Sequence, residues 1–167
     1  DGRCNIVATL KGEQSGPRLV YICHQDTVPL GDGWHHDPLA AEIIDGRMYG
    51  RGSCDMKSGL AAGMLAFRNI AAMGKKLKHD FLFIASMDEE DIMIGADKLI
   101  ADGIVRADDY VLDAEPTNGA IKVAHKGKTW FRLDAKGVAC HASTPEKGSD
   151  AVAALSEVIC AINRRLR

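Results

Sequence analysis

The stretch FLFIASMDEE, Phe81 to Glu90, is a mainly apolar run of strand length that breaks off into three consecutive carboxylates. Such a run, bounded by polar residues, reads as a strand buried on both faces, as in the interior of an α/β sheet. Two further runs are built the same way. LVYIC, Leu19 to Cys23, leads into His24 and Asp26, and YVL, Tyr110 to Leu112, leads into Asp113 and Glu115. All three are expected to be buried strands. Between the Leu19 and Phe81 runs, Leu60, Met64, Phe67 and Ile70 or Ala71 recur at helical spacing within Ser58 to Gly74. A second helix is expected from about Ala96 to Ala101, ahead of Gly103. Strands alternating with helices favour parallel pairing, with the helices packed on the sheet faces.

The polar residues that follow the strands carry the functional reading. In open parallel sheets ligands bind beyond the carboxyl ends of the strands, so segments distant in sequence converge there. His24, Asp26, Asp88, Glu89, Glu90, Asp113 and Glu115 all follow strand ends. Like charges gathered in one crevice repel and burial raises the cost, whereas a divalent cation resolves the conflict. His24 and Asp26 are two residues apart and share a face in extended backbone, so Asp26 can orient the imidazole. Glu89 and Glu90 are adjacent and diverge, which lets one bind metal while the other addresses a water molecule. One imidazole with several carboxylates suits zinc, cobalt or manganese, and the lack of a C-x-x-C pair argues against a zinc finger. A fourth segment, GRGSCDMKSG from Gly50 to Gly59, sets Asp55 in a turn whose Gly50, Gly52 and Gly59 permit backbone angles closed to other residues. Taken alone, that segment reads as a plain turn with a solvated Asp rather than as a ligand loop.

Composition narrows the classes. Of 167 residues, 46% are hydrophobic and 26% charged, the balance of a soluble chain with one sizeable core. A net charge of -2 and a pI near 6.3 give no electrostatic footprint for nucleic acid or an anionic membrane. No segment approaches the roughly 20 apolar residues that span a bilayer. The opening DGRCNIVATLKGEQSG lacks the apolar centre of a signal peptide, so cytoplasmic residence is expected. Cys4, Cys23, Cys54, Cys140 and Cys160 are scattered and odd in number, and are expected to be reduced thiols. Cys23 and Cys54 stand beside candidate site residues, where oxidation or mercurials would inactivate.

Taken in order, CHQDTVP, GRGSCDMKSG, MDEE, DAEPT and HASTPEKG resemble the dizinc aminoacyl hydrolases that include acetylornithine deacetylase, succinyl-diaminopimelate desuccinylase, aminoacylase and glutamate carboxypeptidase. The likeness runs from about Leu19 to the end. It implies an α/β, zinc-peptidase-like catalytic domain over residues 1–117, with a mixed, largely parallel sheet and helices on both faces. Residues 118–167 would begin an α+β lid or dimerisation domain. The resemblance further implies two Zn2+ ions per complete site, replaceable by Co2+ or Mn2+. His24 and Glu115 match the ligands of the first, Asp55 the bridging carboxylate and Glu90 a ligand of the second. Asp26 matches the residue that orients His24, and Glu89 the general base. The Glu-Pro-Thr that begins at Glu115 favours it over Asp113. The implied chemistry is metal-assisted amide hydrolysis, in which Glu89 takes a proton from the attacking water and returns it to the leaving amine.

Beyond about Asn118 the pattern changes. Ile121, Val123, Phe131, Leu133 and Ala135 alternate with polar residues as in half-buried strands, with Gly127 at the turn. From Ser149 to Arg167, Val152, Leu155, Val158 or Ile159, Ile162 and Leu166 form a helical stripe capped by Ser149 or Asp150. His141, in GVACHASTP, matches the family's lid histidine, which reaches a neighbouring subunit's site and stabilises the developing oxyanion, so a homodimer is implied. His35, His36, His79 and His125 have no such context. Two departures stand out: Asp91 to Ile94 replace the small residues usual after the second Glu, and Asp150 replaces an Asn.

The expected function is a metal-dependent hydrolase acting on an N-acyl amino acid or short peptide, with deacylase and exopeptidase left open. A catalytically silent metal-binding or dimerisation module is the rival from another class. An aminopeptidase without a lid is disfavoured by HASTP. The family's last zinc ligand, a His from a returning segment, has no counterpart here. The 167 residues alone are therefore expected to bind the second metal weakly and to be inactive. Measurable zinc-dependent hydrolysis by them would overturn that expectation.

Overall fold

A computed structural model describes residues 2–127 and 129–166, which divide into two compact units, Asp1–Ile121 and Lys122–Arg167. The first unit is built on strands β1 (Ile6–Leu10), β2 (Leu19–His24), β3 (Glu42–Ile44), β4 (Arg47–Tyr49), β5 (Phe81–Ser86) and β6 (Tyr110–Asp113), with helices α1 (Ser58–Ala72) and α2 (Ile94–Ala101). The main sheet has the order β1-β5-β2-β6. β2 pairs in parallel with both β5 and β6, and β1 joins β5 antiparallel, which makes a mixed, largely parallel α/β sheet.

The central pair explains why the β2 and β5 runs are so apolar. Side chains alternate across a strand, and each face here meets a helix. Tyr21, Cys23, Phe83 and Ala85 form one layer with Met56 and with Leu60 and Phe67 from the α1 side. Val20, Leu82 and Ile84 form the other with Leu99 of α2, Ile104 and Val105. Every residue of β5 is buried. Val20 and Ile84 are fully enclosed, and burial of such side chains stabilises by about 1.5–3 kcal/mol each.

Several expectations need correction. β6 is no buried strand: Tyr110, Val111 and Leu112 are all exposed, because it is an edge strand paired only with β2 among the described residues. On α1, Met64 faces solvent, and Gly63 takes its place in the buried stripe because the helix lies directly against the Tyr21 ring. A Cβ on Gly63 would overlap that ring, whose hydroxyl donates to the Gly59 carbonyl at 2.8 Å. Gly63→Ala is therefore expected to destabilise this unit by about 1–3 kcal/mol, read as a lower urea midpoint. An unchanged midpoint would mean that the helix can move off Tyr21 at no cost. Strand β1 and the β3–β4 hairpin had not been anticipated at all.

In the second unit, helix α3 (Ala151–Arg165) starts at Asp150, whose carboxylate accepts the Val152 and Ala153 N–H groups at 2.8 and 3.0 Å. The expected end of that helix at Arg167 lies outside the described residues. The alternating segment from Ile121 to Ala135 forms no strand among the described residues, and Ile121, Val123, Phe131 and Leu133 are exposed. A two-stranded ribbon needs a third strand or a helix against its apolar face, and none covers it among the described residues of this unit. Among the described residues of this unit, the ladder contact is the antiparallel bridge between Val138 and Ser149. No helix among the described residues is long and apolar enough to cross a membrane.

Candidate metal centre

The carboxyl ends of β2, β5 and β6 lie side by side, since β2 pairs in parallel with both neighbours. His24 closes β2 opposite Ser86, and the chain beyond Ser86 turns at once through Asp88, in the left-handed region at φ 64°, to present Glu89 and Glu90. Glu115 follows β6 two residues after Asp113. The Gly50–Gly59 loop enters from the side. Of its glycines only Gly52 uses a left-handed angle, at φ 80°, whereas Gly59 is needed because a Cβ there would sit 2.6 Å from the Ala114 carbonyl oxygen. Met56, fully buried in this loop, places its sulfur 3.2 Å from the His24 amide.

His24 is the hub. Its side chain is 1% exposed, its Nε2 lies 3.1 Å from Asp55 Oδ1 and 3.6 Å from Glu115 Oε1, and its Nδ1 is 2.9 Å from the Asp26 main-chain oxygen. A carbonyl only accepts, so Nδ1 carries a proton and Nε2 faces the carboxylates. Two interlocking donor groups result, His24 with Asp55 and Glu90, and His24 with Glu89 and Glu115, the donor atoms of each lying within 4.8 Å of one another. Three of the five, His24, Glu89 and Glu115, line an open cleft whose walls also include Ser86, Met93 and Asp113.

Asp26 is wired differently from the expectation. Its carboxylate oxygen is 3.7 Å from His24 Nδ1, and its two oxygens instead accept the Glu89 and Glu90 backbone N–H groups at 3.2 and 3.1 Å. The main-chain oxygen orients the imidazole, while the carboxylate clamps the acidic turn. Lys57 adds a tie across the same corner, its Nζ donating to the Gln25 carbonyl at 2.8 Å. His141 lies in the second unit, where it is exposed and its Nδ1 is 2.8 Å from Ser143 Oγ.

Without a cation the cluster is electrostatically frustrated. Burial, reinforced by Asp113, Asp55 and Glu89 and opposed by His24, pushes the Glu115 carboxyl up to about 7. Burial lowers the His24 pKa, but the Asp55 and Asp26 hydrogen bonds and the Glu115 and Glu89 charges more than offset it, so the net shift is upward. Cys23 is buried with its thiol pushed up to about 11 by burial and then by Asp113, while Cys54 is exposed. The residues that sequence reasoning missed are Arg3 and Asn5, which reach the acidic turn from the segment before β1. No periodicity marks a side chain whose partners lie more than eighty residues away.

Comparison with known proteins finds curated relatives and a solved structural neighbour. The acetylornithine deacetylase of Proteus mirabilis is 35% identical over 159 residues, spanning 95% of this chain and 40% of that protein. A succinyl-diaminopimelate desuccinylase of Rhodopseudomonas palustris is 34% identical over 158 residues, spanning 88% of this chain and 41% of the other. The chain thus spans about two fifths of the length of these curated relatives. The crystal structure of human carnosine dipeptidase 1 aligns with a TM-score of 0.54 at 27% identity, over 65% of this chain and 24% of that one. Residues 20–163 match the description of Peptidase family M20/M25/M40, and the chain belongs to that family.

Proposed function

We propose that this chain supplies the metal-binding half of a zinc-dependent amidohydrolase that cleaves the amide bond of an N-acyl amino acid or short peptide. The observation that carries the reading is the pair of donor groups sharing buried His24. One imidazole and four carboxylates, one of them pushed up to about 7 by burial and its acidic neighbours, make a donor set suited to Zn2+, with Co2+ or Mn2+ as substitutes. His24 and Glu115 would hold the first ion, Glu90 the second, and Asp55 both. When bound, the ions supply Lewis-acid chemistry, lowering the pKa of water and polarising the scissile carbonyl.

The chain's own residues do the rest. Asp26 fixes the Glu89 and Glu90 amides, so the two carboxylates leave one turn in different directions. Glu89 takes the proton of the attacking water and delivers it to the leaving amine. Residues 118–167 begin a lid and dimerisation domain, and His141 supports the developing oxyanion in a partner's site. The protein acts in the cytoplasm as a homodimer. The names of the curated relatives favour acetyl and succinyl amino acids, and the likeness to a carnosine dipeptidase favours dipeptides as a second reading. A panel of acetyl, succinyl and dipeptide substrates, assayed with and without chelator on a full-length enzyme carrying this chain, separates them. Chelator-insensitive turnover would remove the metal from the reading.

Metal binding to the chain itself should follow the titration of the site. Glu115 and His24 both hold protons more tightly in the metal-free fold than when unfolded, so their contribution to stability is fully present below the ordinary carboxyl pKa of 4.5. It is lost as pH rises through about 7, the folded value of Glu115. Chelator-treated protein is therefore expected to lose urea resistance between pH 5 and 8. Zn2+ should restore it at pH 8, with release of protons on binding. Calorimetry in two buffers of different ionisation enthalpy measures that release, and none at pH 6 to 7 would contradict the assignment.

A further inference from the structure

Glu89 and Glu90 sit on a loop that leaves the sheet at Ser86 and re-enters regular structure at Ile94, and its two ends are held together by one side chain. Asn5, immediately before β1, accepts the Met87 N–H through Oδ1 at 3.0 Å and donates through Nδ2 to the Gly95 carbonyl at 2.8 Å. Its carboxamide thus pairs the first residue after β5 with the first turn of α2. The ends meet so closely that a Cβ on Gly95 would overlap the Met87 carbonyl oxygen and lie 2.6 Å from Asn5 Oδ1. The flanking residue Arg3 pairs with the Asp88 carboxylate, which is 5% exposed, and Gln25 Nε2 donates to the Cys4 carbonyl at 2.7 Å, pinning the same segment. Inside the loop, the Met93 N–H closes onto the Asp88 carbonyl at 2.7 Å, both residues adopting left-handed φ angles.

From this juxtaposition we infer that Asn5 is a positioning residue for Glu89 and Glu90, with Gly95 as its sterically required partner. Asp26 holds the turn from the cleft side, and Asn5 fixes the distance between the ends of the loop that carries it. Loop residues released from such closure regain backbone freedom, so an unclosed loop would let Glu90 drift from His24 and Asp55. The Asn amide is suited to the task because it presents a donor and an acceptor on one rigid plane. Asn5→Asp keeps the size and the acceptor for Met87, but turns an oxygen toward the Gly95 carbonyl. The inference rests on the reading of Glu90 as a metal ligand and of Glu89 as its catalytic neighbour.

The experiment uses a full-length protein carrying this chain, titrated with Co2+ and followed by its visible absorption. Asn5→Ala and Asn5→Asp are expected to bind Co2+ about 10- to 100-fold more weakly than wild type and to shift the Co2+ spectrum. Leu10→Ala, at the opposite end of β1, lowers stability without touching the loop and should leave affinity and spectrum unchanged. In wild type the Met87 amide should be protected from hydrogen exchange, and in Asn5→Asp exchange of the Glu89 and Glu90 amides should quicken. If wild type binds no Co2+, the metal reading fails, and the exchange measurements alone decide the role of Asn5. If wild type binds and both Asn5 variants bind equally well with the same spectrum, the positioning role is wrong. An unprotected Met87 amide in wild type overturns it without any variant, including the case in which Asn5→Ala does not fold.

Discussion

Glu89→Gln, made in a full-length active enzyme carrying this chain, is expected to lower kcat by about 10²- to 10⁴-fold while leaving the metal content unchanged. The amide keeps the shape and hydrogen-bonding reach of the carboxylate, and the backbone N–H at this position remains fixed by Asp26. What disappears is the proton acceptor. That loss corresponds to about 3–5 kcal/mol of transition-state stabilisation, with little change in KM because substrate contacts are not removed. The neighbouring Glu90→Gln should behave in the opposite way, losing metal first and activity as a consequence, since Glu90 groups with His24 and Asp55. The contrast matters because the Glu89 carboxylate itself lies within 4.8 Å of donor atoms on His24 and Glu115. Geometry alone allows it to be a ligand. If Glu89→Gln sheds metal in proportion to activity, the base is another group; if it keeps both metal and full activity, it has no role in the chemistry.

How the two glutamates are held was only half legible in the chain. The two-residue spacing of His24 and Asp26 signals an interaction, and one exists, but through the Asp26 main-chain oxygen. The carboxylate is committed to amides 63 and 64 residues further on. Spacing reports on local backbone geometry, whereas a carboxylate reaching into another segment's turn depends on how strands are ordered. The same limit hid Asn5, whose partners flank the acidic loop. Convergence of the ligands, by contrast, was readable, because parallel strands place their carboxyl ends along one edge whatever their separation in sequence.

The fold divides along a similar line. β2 and β5 could be read because both faces are buried and the whole run is therefore apolar. β1 escaped because it is an edge strand with Ile6 and Val7 both substantially exposed, so its pattern is diluted. The β3–β4 hairpin did carry a signal, Asp45-Gly46 with both residues at positive φ, flanked by short apolar strands. Gly63 illustrates the opposite failure. The helical stripe was real, but a close helix–strand contact replaced its expected Met64 by a residue with no side chain. From Ile121 to Ala135 the alternation was equally real, and no strand follows from it, because alternation specifies a strand only where another layer covers its apolar face.

The largest stability effect is expected at Arg18→Met, about 3–5 kcal/mol at pH 7. The Arg18 guanidinium grips Asp109 with both arms, Nε to Oδ1 at 2.8 Å and Nη2 to Oδ2 at 2.6 Å, and Nη2 also donates to the Ile104 carbonyl at 2.8 Å. The Asp109 side chain is 0% exposed, and it accepts the Arg106 N–H as well at 2.8 Å. Removing the guanidinium takes two donors from a carboxylate whose side chain is covered. In wild type the Arg18 hydrogen bonds, against burial and with help from Arg106, hold this carboxyl down to about 2, where 3.8 is ordinary. The stability so gained, about 2 kcal/mol, is present above pH 4 and lost as pH falls toward 2. In the variant the carboxyl pKa must rise, so the gap between the two proteins should narrow in acid. Adding Asp109→Asn to Arg18→Met should recover part of the loss, because the stranded charge is gone. The consequences reach the site. The Tyr110 N–H donates to the Arg18 carbonyl at 2.8 Å where β6 joins β2, and β6 runs from there to Asp113, two residues short of Glu115. Loosening this corner should therefore weaken Co2+ binding as well as lower the urea midpoint. An Arg18→Met protein as stable as wild type at pH 7 would show that the buried pair does not hold β6 in the sheet.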